Sequence, residues 1–219
     1  MILRIGHRGA AGHMPENSLG SIQRAIELGV DFVEIDLRRT QDGHLVILHD
    51  ERVDRTTDGT GAIATLTLNQ VKKLRMRDGQ RIPTLEEVLE IADRRVGLML
   101  ELKTTGLAEQ VVGTVQRVRL SRDVIYASFL HSELLRLRRM APSAKTLALL
   151  KKGQQRPNIA LRDPTHVGVG PDGLTSRFVS TMHAAGLQVV VFTLNDPTDI
   201  ERAKALGVDG IISDCPERV

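Results

Sequence analysis

The sequence of 219 residues predicts an α/β fold, a closed (β/α)8 barrel with a small insertion after its second strand. Three observations predict it. Short apolar runs alternate with helical patterns from end to end, the mark of parallel strands joined by right-handed crossovers. The apolar runs with strand character, leaving aside one short return strand, number eight. The stretch from Leu28 to Asp36 is also echoed by the stretch from Leu206 to Asp214. Both read as a helix end turning into a strand that finishes on an acid, and a barrel is built by repeating such a unit.

The elements follow in order. Strands are expected near residues 2–6, 31–37, 97–103, 123–129, 145–150, 165–169, 188–194 and 209–213, and helices near 18–28, 84–94, 107–119, 131–140, 175–185 and 197–206. The fifth connection, from Gln154 to Arg162, reads as short and ambiguous. Thr84-Leu85-Glu86-Glu87 is a capping box, in which the threonine oxygen accepts from an orphan amide while Glu87 reaches back. Asp196-Pro197 gives an N-cap followed by proline at the first helical position. Gly29, Gly186 and Gly207 each stand between a helix and a strand, where a left-handed residue closes the helix.

Two features break the alternation. Gln41-Asp42-Gly43-His44 reads as a hairpin turn, with Leu45-Val46-Ile47-Leu48 returning as an extra strand, and residues 50–82 then form a polar insertion. Only five residues follow Asp214, so the eighth helix is missing or vestigial. Its absence is expected to bare apolar barrel surface and to favour a homodimer. The expected organisation is one domain over residues 1–219, with the insertion near 50–82.

Composition narrows the function classes. Hydrophobic content of 41% and charged content of 26% are ordinary for a soluble globular chain. A net charge of +3, scattered Lys and Arg and five aromatic residues argue against a nucleic-acid surface built on stacking. The one cysteine, Cys215, excludes an intrachain disulfide and a zinc site of several cysteines; it reads as structurally inert. The N-terminal apolar run is too short for a signal-peptide core, and no segment reaches bilayer-spanning length, so a cytoplasmic location and no stable membrane insertion are the expectation.

The chemistry lies at strand ends. Side chains alternate faces along a strand. Val33, Ile35 and Leu37 form an apolar face that belongs against helices, which turns Glu34 and Asp36 inward, about 7 Å apart along the strand. In the next barrel strand Leu98, Leu100 and Leu102 point outward and Met99, Glu101 and Lys103 inward. Three carboxylates then converge in a partly buried place, and Lys103 offsets only one charge. A hard divalent cation, Mg2+ or Ca2+, held by Glu34, Asp36 and Glu101 is the natural remedy. His7 and His49, at the ends of the first strand and the extra strand, gather at the same rim and suit acid–base catalysis near neutral pH. Arg8 offers a planar fork for phosphate and Lys103 a point charge. The other five histidines carry no assignment.

The ordered set His7-Arg8-Gly9, Pro15-Glu16-Asn17-Ser18, Glu34-Ile35-Asp36, His49-Asp50, Pro83-Thr84-Leu85-Glu86-Glu87, Glu101-Leu102-Lys103 and Gly207 through Pro216 resembles the glycerophosphodiester phosphodiesterase family. Ser128-Phe129 resembles that family's fourth strand end. The resemblance spans essentially the whole chain. It implies a TIM barrel, metal ligation by Glu34, Asp36 and Glu101, acid–base roles for His7 and His49, and phosphate contacts from Arg8 and Lys103. The implied reaction is hydrolysis of a small glycerophosphodiester to sn-glycerol 3-phosphate and an alcohol. Ser18 replaces the family's usual threonine. Phe192 replaces its usual tryptophan, keeping an apolar wall for glycerol but losing the indole N–H. Two other readings compete: a barrel lyase or aldolase with Lys103 as base or Schiff-base amine, and a phosphate-binding module without catalysis. A variant directed at lysophospholipids is disfavoured by the lack of an amphipathic basic stretch.

Overall fold

The computed structural model describes residues 2–118, 120–157, 159–160 and 163–219. Eight parallel strands close into a barrel: β1 (Leu3–Gly6), β2 (Phe32–Arg39), β4 (Gly97–Leu102), β5 (Val124–Ser128), β6 (Lys145–Leu149), β7 (His166–Val169), β8 (Gln188–Val191) and β9 (Gly210–Ser213). Closure comes from β1, which pairs with β9 on one side and with β2 on the other. The ninth strand, β3 (Leu45–Ile47), runs antiparallel to β2, with Leu37 opposite Ile47. It is the extra strand that the hairpin signal predicts, and Gly43 takes the positive φ of 87° in the turn.

The inside–outside assignment follows the alternation. Val33, Ile35, Leu37, Leu98, Leu100 and Leu102 share one buried cluster with residues of α1 (Leu19–Glu27), α3 (Leu85–Ala92) and α4 (Ala108–Val118). Ile5, Phe32, Met99, Ile125, Leu147, Leu149, Val190 and Ile212 fill the barrel interior as a separate cluster. A third cluster joins β7, β8 and β9 to α6 (Ser176–Ala184) and α7 (Pro197–Ala205). The helix α5 (His131–Met140) coincides with its expected range. Expected and observed helix ends otherwise differ by a residue or two; Arg119, at the end of the range expected for α4, lies outside the described residues.

Local signals place these helices. At α3 the Glu87 carboxylate accepts from the Thr84 amide at 2.8 Å and the Glu87 amide donates back to the Thr84 hydroxyl at 3.3 Å, so the capping box is complete. Asp196 caps α7 by accepting from the Thr198 amide at 2.8 Å. The insertion folds around its own small core of Val46, Leu48, Val53, Ile63, Val71 and Ile82. It contains a short helix, α2 (Leu68–Val71), with a Thr67–Gln70 capping box that the sequence reading did not single out.

Two expectations need comment. In the fifth connection no helix occurs among the described residues, while Asn158, Leu161 and Arg162 lie outside them. After β9, in the segment expected to lack a full eighth helix, the described residues form a single 3-10 turn, Pro216–Arg218. The bare apolar surface expected from that loss is absent beside β9, where Ile211 is fully buried and Ile2, Leu206 and Val219 pack on the same cluster. Among the described residues, the large exposed apolar side chains are Val118 and Met140, at the ends of α4 and α5. The missing helix therefore supplies no argument for a dimer.

Leu100 is fully buried between the barrel and its helices. Leu100→Ala is expected to lower unfolding free energy by about 2–5 kcal/mol, read from the urea midpoint at unchanged slope.

Candidate active site

At the C-terminal ends of β1, β2 and β4 three acids meet. Asp36 and Glu101 are register partners in parallel neighbours, so both side chains leave the sheet on the same side; Glu34 lies one pleat earlier on β2. One carboxylate oxygen from each of Glu34, Asp36 and Glu101 lies within 4.8 Å of the others, and all three residues are buried. Two cations face them. The Lys103 ammonium is 2.8 Å from Glu101 Oε1 and 3.3 Å from Asp36 Oδ1. Arg8 Nε is 3.4 Å from Asp36 Oδ2, and the Arg8 amide donates to Glu34 Oε2 at 2.9 Å.

The charges do not cancel, and the acids diverge accordingly. Burial, followed by the charges of Asp36 and Glu101, pushes the Glu34 carboxyl well above the usual range. Burial and Asp36 likewise raise Glu101, although Lys103 opposes them. Burial would also raise Asp36, but Lys103 and Arg8 outweigh it and hold that group below its ordinary value. A carboxyl driven toward its neutral form by neighbouring carboxylates is the state a bound cation reverses. The donor set is all oxygen, from three carboxylates, which fits a hard divalent ion rather than a thiophilic one.

The loop after β1 is shaped to serve this cluster. Arg8 and Asn17 both take left-handed φ values, 49° and 57°. Asn17 donates from its side chain to Asp36 Oδ2 at 2.8 Å and accepts from the Asp36 amide at 3.3 Å. Gly9 has φ of 89°, and a Cβ there would overlap Ser21 at the start of α1, so only glycine lets the loop lie this close.

Two imidazoles stand beside the acids. His7 Nδ1 is 2.7 Å from Asp214 Oδ1, at the end of β9, and Asp214 in turn accepts from the Asn195 side chain at 2.6 Å. His49 Nδ1 is 2.7 Å from Asp50 Oδ1. With Nδ1 bonded to a carboxylate in each case, the proton sits there in the neutral ring and Nε2 is the nitrogen left for chemistry. Burial lowers the His49 pKa despite Asp36 and Asp50, which keeps that ring neutral further into the acid range.

A pocket of about 180 Å³ opens over the cluster. His7, Arg8, Glu34, His49, Glu101 and Lys103 form its polar wall, and Met99, Ala127, Phe129, Leu149, Phe192 and Ile212 form its apolar wall. Phe129 and Phe192 pack edge to face at 5.9 Å. The Phe192–Thr193 peptide is cis. Seven of the eight residues singled out from the sequence, His7, His49, Glu34, Glu101, Arg8, Lys103 and Phe192, line this pocket, and Asp36 lies directly beneath it.

Sequence reasoning missed the supporting residues. Arg55, in the insertion, donates to Asp50 Oδ2 at 2.6 Å and to both Glu16 oxygens at 2.7 Å, while Glu16 accepts from Arg8 at 2.7 Å. Arg38 donates twice to the His49 carbonyl, at 2.9 and 2.7 Å. No spacing rule pairs Arg55 with Glu16 across 39 residues, whereas Asp214 had a signal in the acid that closes the last strand. Lys103 is also held as a cation: burial would lower it, but Asp36 and Glu101 outweigh that effect and raise its pKa. A Schiff-base amine needs the reverse. The remaining histidines have local partners: His13 with Glu217, His44 with Asp42, His183 with Asp209, His166 with Thr165, and His131 with the Leu149 carbonyl.

The sequence matches the model of the glycerophosphoryl diester phosphodiesterase family over residues 7–218. A glycerophosphodiester phosphodiesterase of Caldanaerobacter subterraneus subsp. tengcongensis is 36% identical over 235 residues, covering 98% of this chain and 95% of that protein. One from Bacillus subtilis is 32% identical, covering 99% of this chain and 84% of its own length. Among solved structures, an Oleispira antarctica phosphodiesterase in complex with the product sn-glycerol-3-phosphate superposes with a TM-score of 0.90 at 30% identity, over 98% of this chain and 93% of that one.

Asn17→Ala removes a donor from the buried Asp36 carboxylate and places a Cβ-bearing residue without a polar side chain at positive φ. The variant is expected to lose about 1–3 kcal/mol, measured by chemical denaturation.

Proposed function

The chain belongs to the glycerophosphoryl diester phosphodiesterase family, and we propose that it releases sn-glycerol 3-phosphate from glycerophosphodiesters with His7 and His49 as the acid–base pair. The observation that carries this reading is the placement of two carboxylate-backed imidazoles on one pocket with Arg8, Lys103 and the buried acids. The substrate class comes from the relatives and from the product named for the Oleispira antarctica structure.

In this reading Arg8 and Lys103 bind the phosphodiester, the guanidinium through its fork and the ammonium as a point charge. One imidazole takes a proton through Nε2 from the attacking hydroxyl. The other gives a proton to the departing alcohol oxygen, so that both reacting oxygens leave the step with the correct proton count. The attacking group is water, or the 2-hydroxyl of the substrate's own glycerol; in the second case the alcohol leaves, a cyclic phosphodiester forms, and water then opens it to glycerol 3-phosphate with the two imidazoles exchanging acid and base roles. Asp214 and Asp50 keep each ring in the tautomer that presents Nε2. Phe192 and Phe129 form a dry wall against which the glycerol carbons pack. Glu34, Asp36 and Glu101 are the proposed ligands of a divalent cation, Mg2+ or Ca2+, which when bound supplies positive charge opposite the phosphate as the transition state develops.

Release of glycerol 3-phosphate from a panel of glycerophosphodiesters, followed by an enzyme-coupled assay, is the direct test. His7→Ala and His49→Ala are each expected to reduce turnover by about 10²-fold or more. Near-normal turnover in either variant removes that residue from the mechanism.

The cation is tested apart from activity. Mg2+ or Ca2+ at about a hundredfold excess over its dissociation constant is expected to stabilise the folded protein by about 2.7 kcal/mol. Glu34→Gln and Glu101→Gln should fold and should lose that increment in a thermal melt. An equal increment in both variants would place the cation elsewhere.

A further inference from the structure

A second, chemically different set of donors lies outside the pocket. His13, in the loop after β1, meets Cys215, the residue that caps the 3-10 turn after β9, and Glu217 within that turn. One ligand atom from each, imidazole nitrogen, thiol sulfur and carboxylate oxygen, lies within 4.8 Å of the others. His13 Nε2 and Glu217 Oε2 are 3.1 Å apart. Two ligands at ordinary zinc bond lengths in a tetrahedron stand about 3.3 Å from each other, and a sulfur stands slightly further off. The spacing found is therefore close to that of a coordination shell before closure.

We propose that His13, Cys215 and Glu217 form a site for a borderline-soft divalent transition metal, Zn2+ in the first instance, with water as the fourth ligand. Three features support it beyond the donor types. The backbone of both segments is fixed, since the Gly12 amide donates to the Asp214 carbonyl at 2.9 Å, the Cys215 amide to the Ser213 hydroxyl at 3.1 Å and the His13 amide to the Ala10 carbonyl at 2.9 Å. The thiol sits against bare backbone: a Cβ on Gly12 would stand 2.5 Å from Cys215 Sγ, so glycine is what admits the sulfur here. The His13 and Glu217 side chains are about one third exposed, 30% and 36%, which leaves a path for the ion and room for a water ligand. The site is distinct from the buried carboxylates in hardness, because it offers nitrogen and sulfur where they offer oxygen alone. Occupied, it ties the first loop of the barrel to the 3-10 turn after β9.

Cobalt reports the difference, since only a thiolate ligand gives sulfur-to-cobalt charge transfer in the near ultraviolet. Reduced full-length protein, in saturating Mg2+ to occupy the oxygen site, is titrated with Co2+ and then with Zn2+. One equivalent of Co2+ is expected to develop the charge-transfer band, and one equivalent of Zn2+ to remove it. Cys215→Ser should abolish the band while leaving the fold and phosphodiesterase turnover unchanged. His13→Gln should weaken Zn2+ binding, measured by calorimetry, at least about tenfold, since even the loss of an outer-sphere partner costs about 10–100-fold. No band at stoichiometric Co2+ in the wild-type protein overturns the proposal, as does Zn2+ binding of equal strength in Cys215→Ser.

Discussion

The structure is organised around the cost of burying three carboxylates together. Removing a carboxylate from water costs several kcal/mol even after relaxation, and each like charge nearby adds to it. Glu34, Asp36 and Glu101 stand within 4.8 Å of one another under the pocket floor. The barrel answers with two cations, Arg8 and Lys103, and with neutral donors from the Arg8 amide and the Asn17 side chain. That answer is incomplete by one charge, and Glu34, pushed well above its usual pKa, is where the deficit appears. The backbone of the first loop bends to make these contacts: Arg8, Gly9 and Asn17 all take left-handed conformations within ten residues.

A second layer holds the first in place. Arg55 joins Asp50, which holds His49, to Glu16, which holds Arg8. One guanidinium thereby sets the relative position of the His49 imidazole and the Arg8 cation, which follow different strands. On the other side Asn195 accepts from the Asp214 amide and donates to the Asp214 carboxylate, so the partner of His7 is held at two points, and Asn195 also accepts from the neighbouring Ser213 hydroxyl. Groups that must meet a substrate within a few tenths of an ångström are thus fixed by donors with no freedom to turn.

How much of this the sequence revealed depends on the range of the interaction. Alternation in Val33-Glu34-Ile35-Asp36-Leu37 is a local property, and it correctly turned the acids inward because one face had to meet α1 and α3. The strand ends, the Thr84 capping box and the Asp196 cap are local too. Glu16 and Asp50 stand inside recognisable motifs, but the role of Arg55, which joins them across 39 and 5 positions, rests on contacts that no periodicity encodes. The expectation of bare apolar surface after β9 failed for a related reason: Ile211 is buried in a cluster on which Ile2, Leu206 and Val219 also pack, contributions that cannot be read from the last strand alone.

The insertion also has a place in this logic. A plain β/α unit would send the chain from the end of β2 straight into a helix, and the rim beside Asp36 would receive only what β2 itself carries. Here the chain turns back through β3, and the Leu48 amide donates to the Asp36 carbonyl at 2.9 Å, which ties the return strand to one of the three buried acids. The next residue is His49, its carbonyl gripped by the buried Arg38. Residues 50–82 then close over a core of their own and send Arg55 back to Asp50 and Glu16. His49, one of the two proposed acid–base residues, therefore follows a strand that packs into the barrel cluster through Leu45 and Ile47 and into the insertion core through Val46 and Leu48, while His7 follows β1, where the ring of strands closes. The insertion core underlies the segment that carries His49, whereas His7 is held from the end of β9 through Asp214, so the stability of that small cluster bears on the geometry between the two imidazoles.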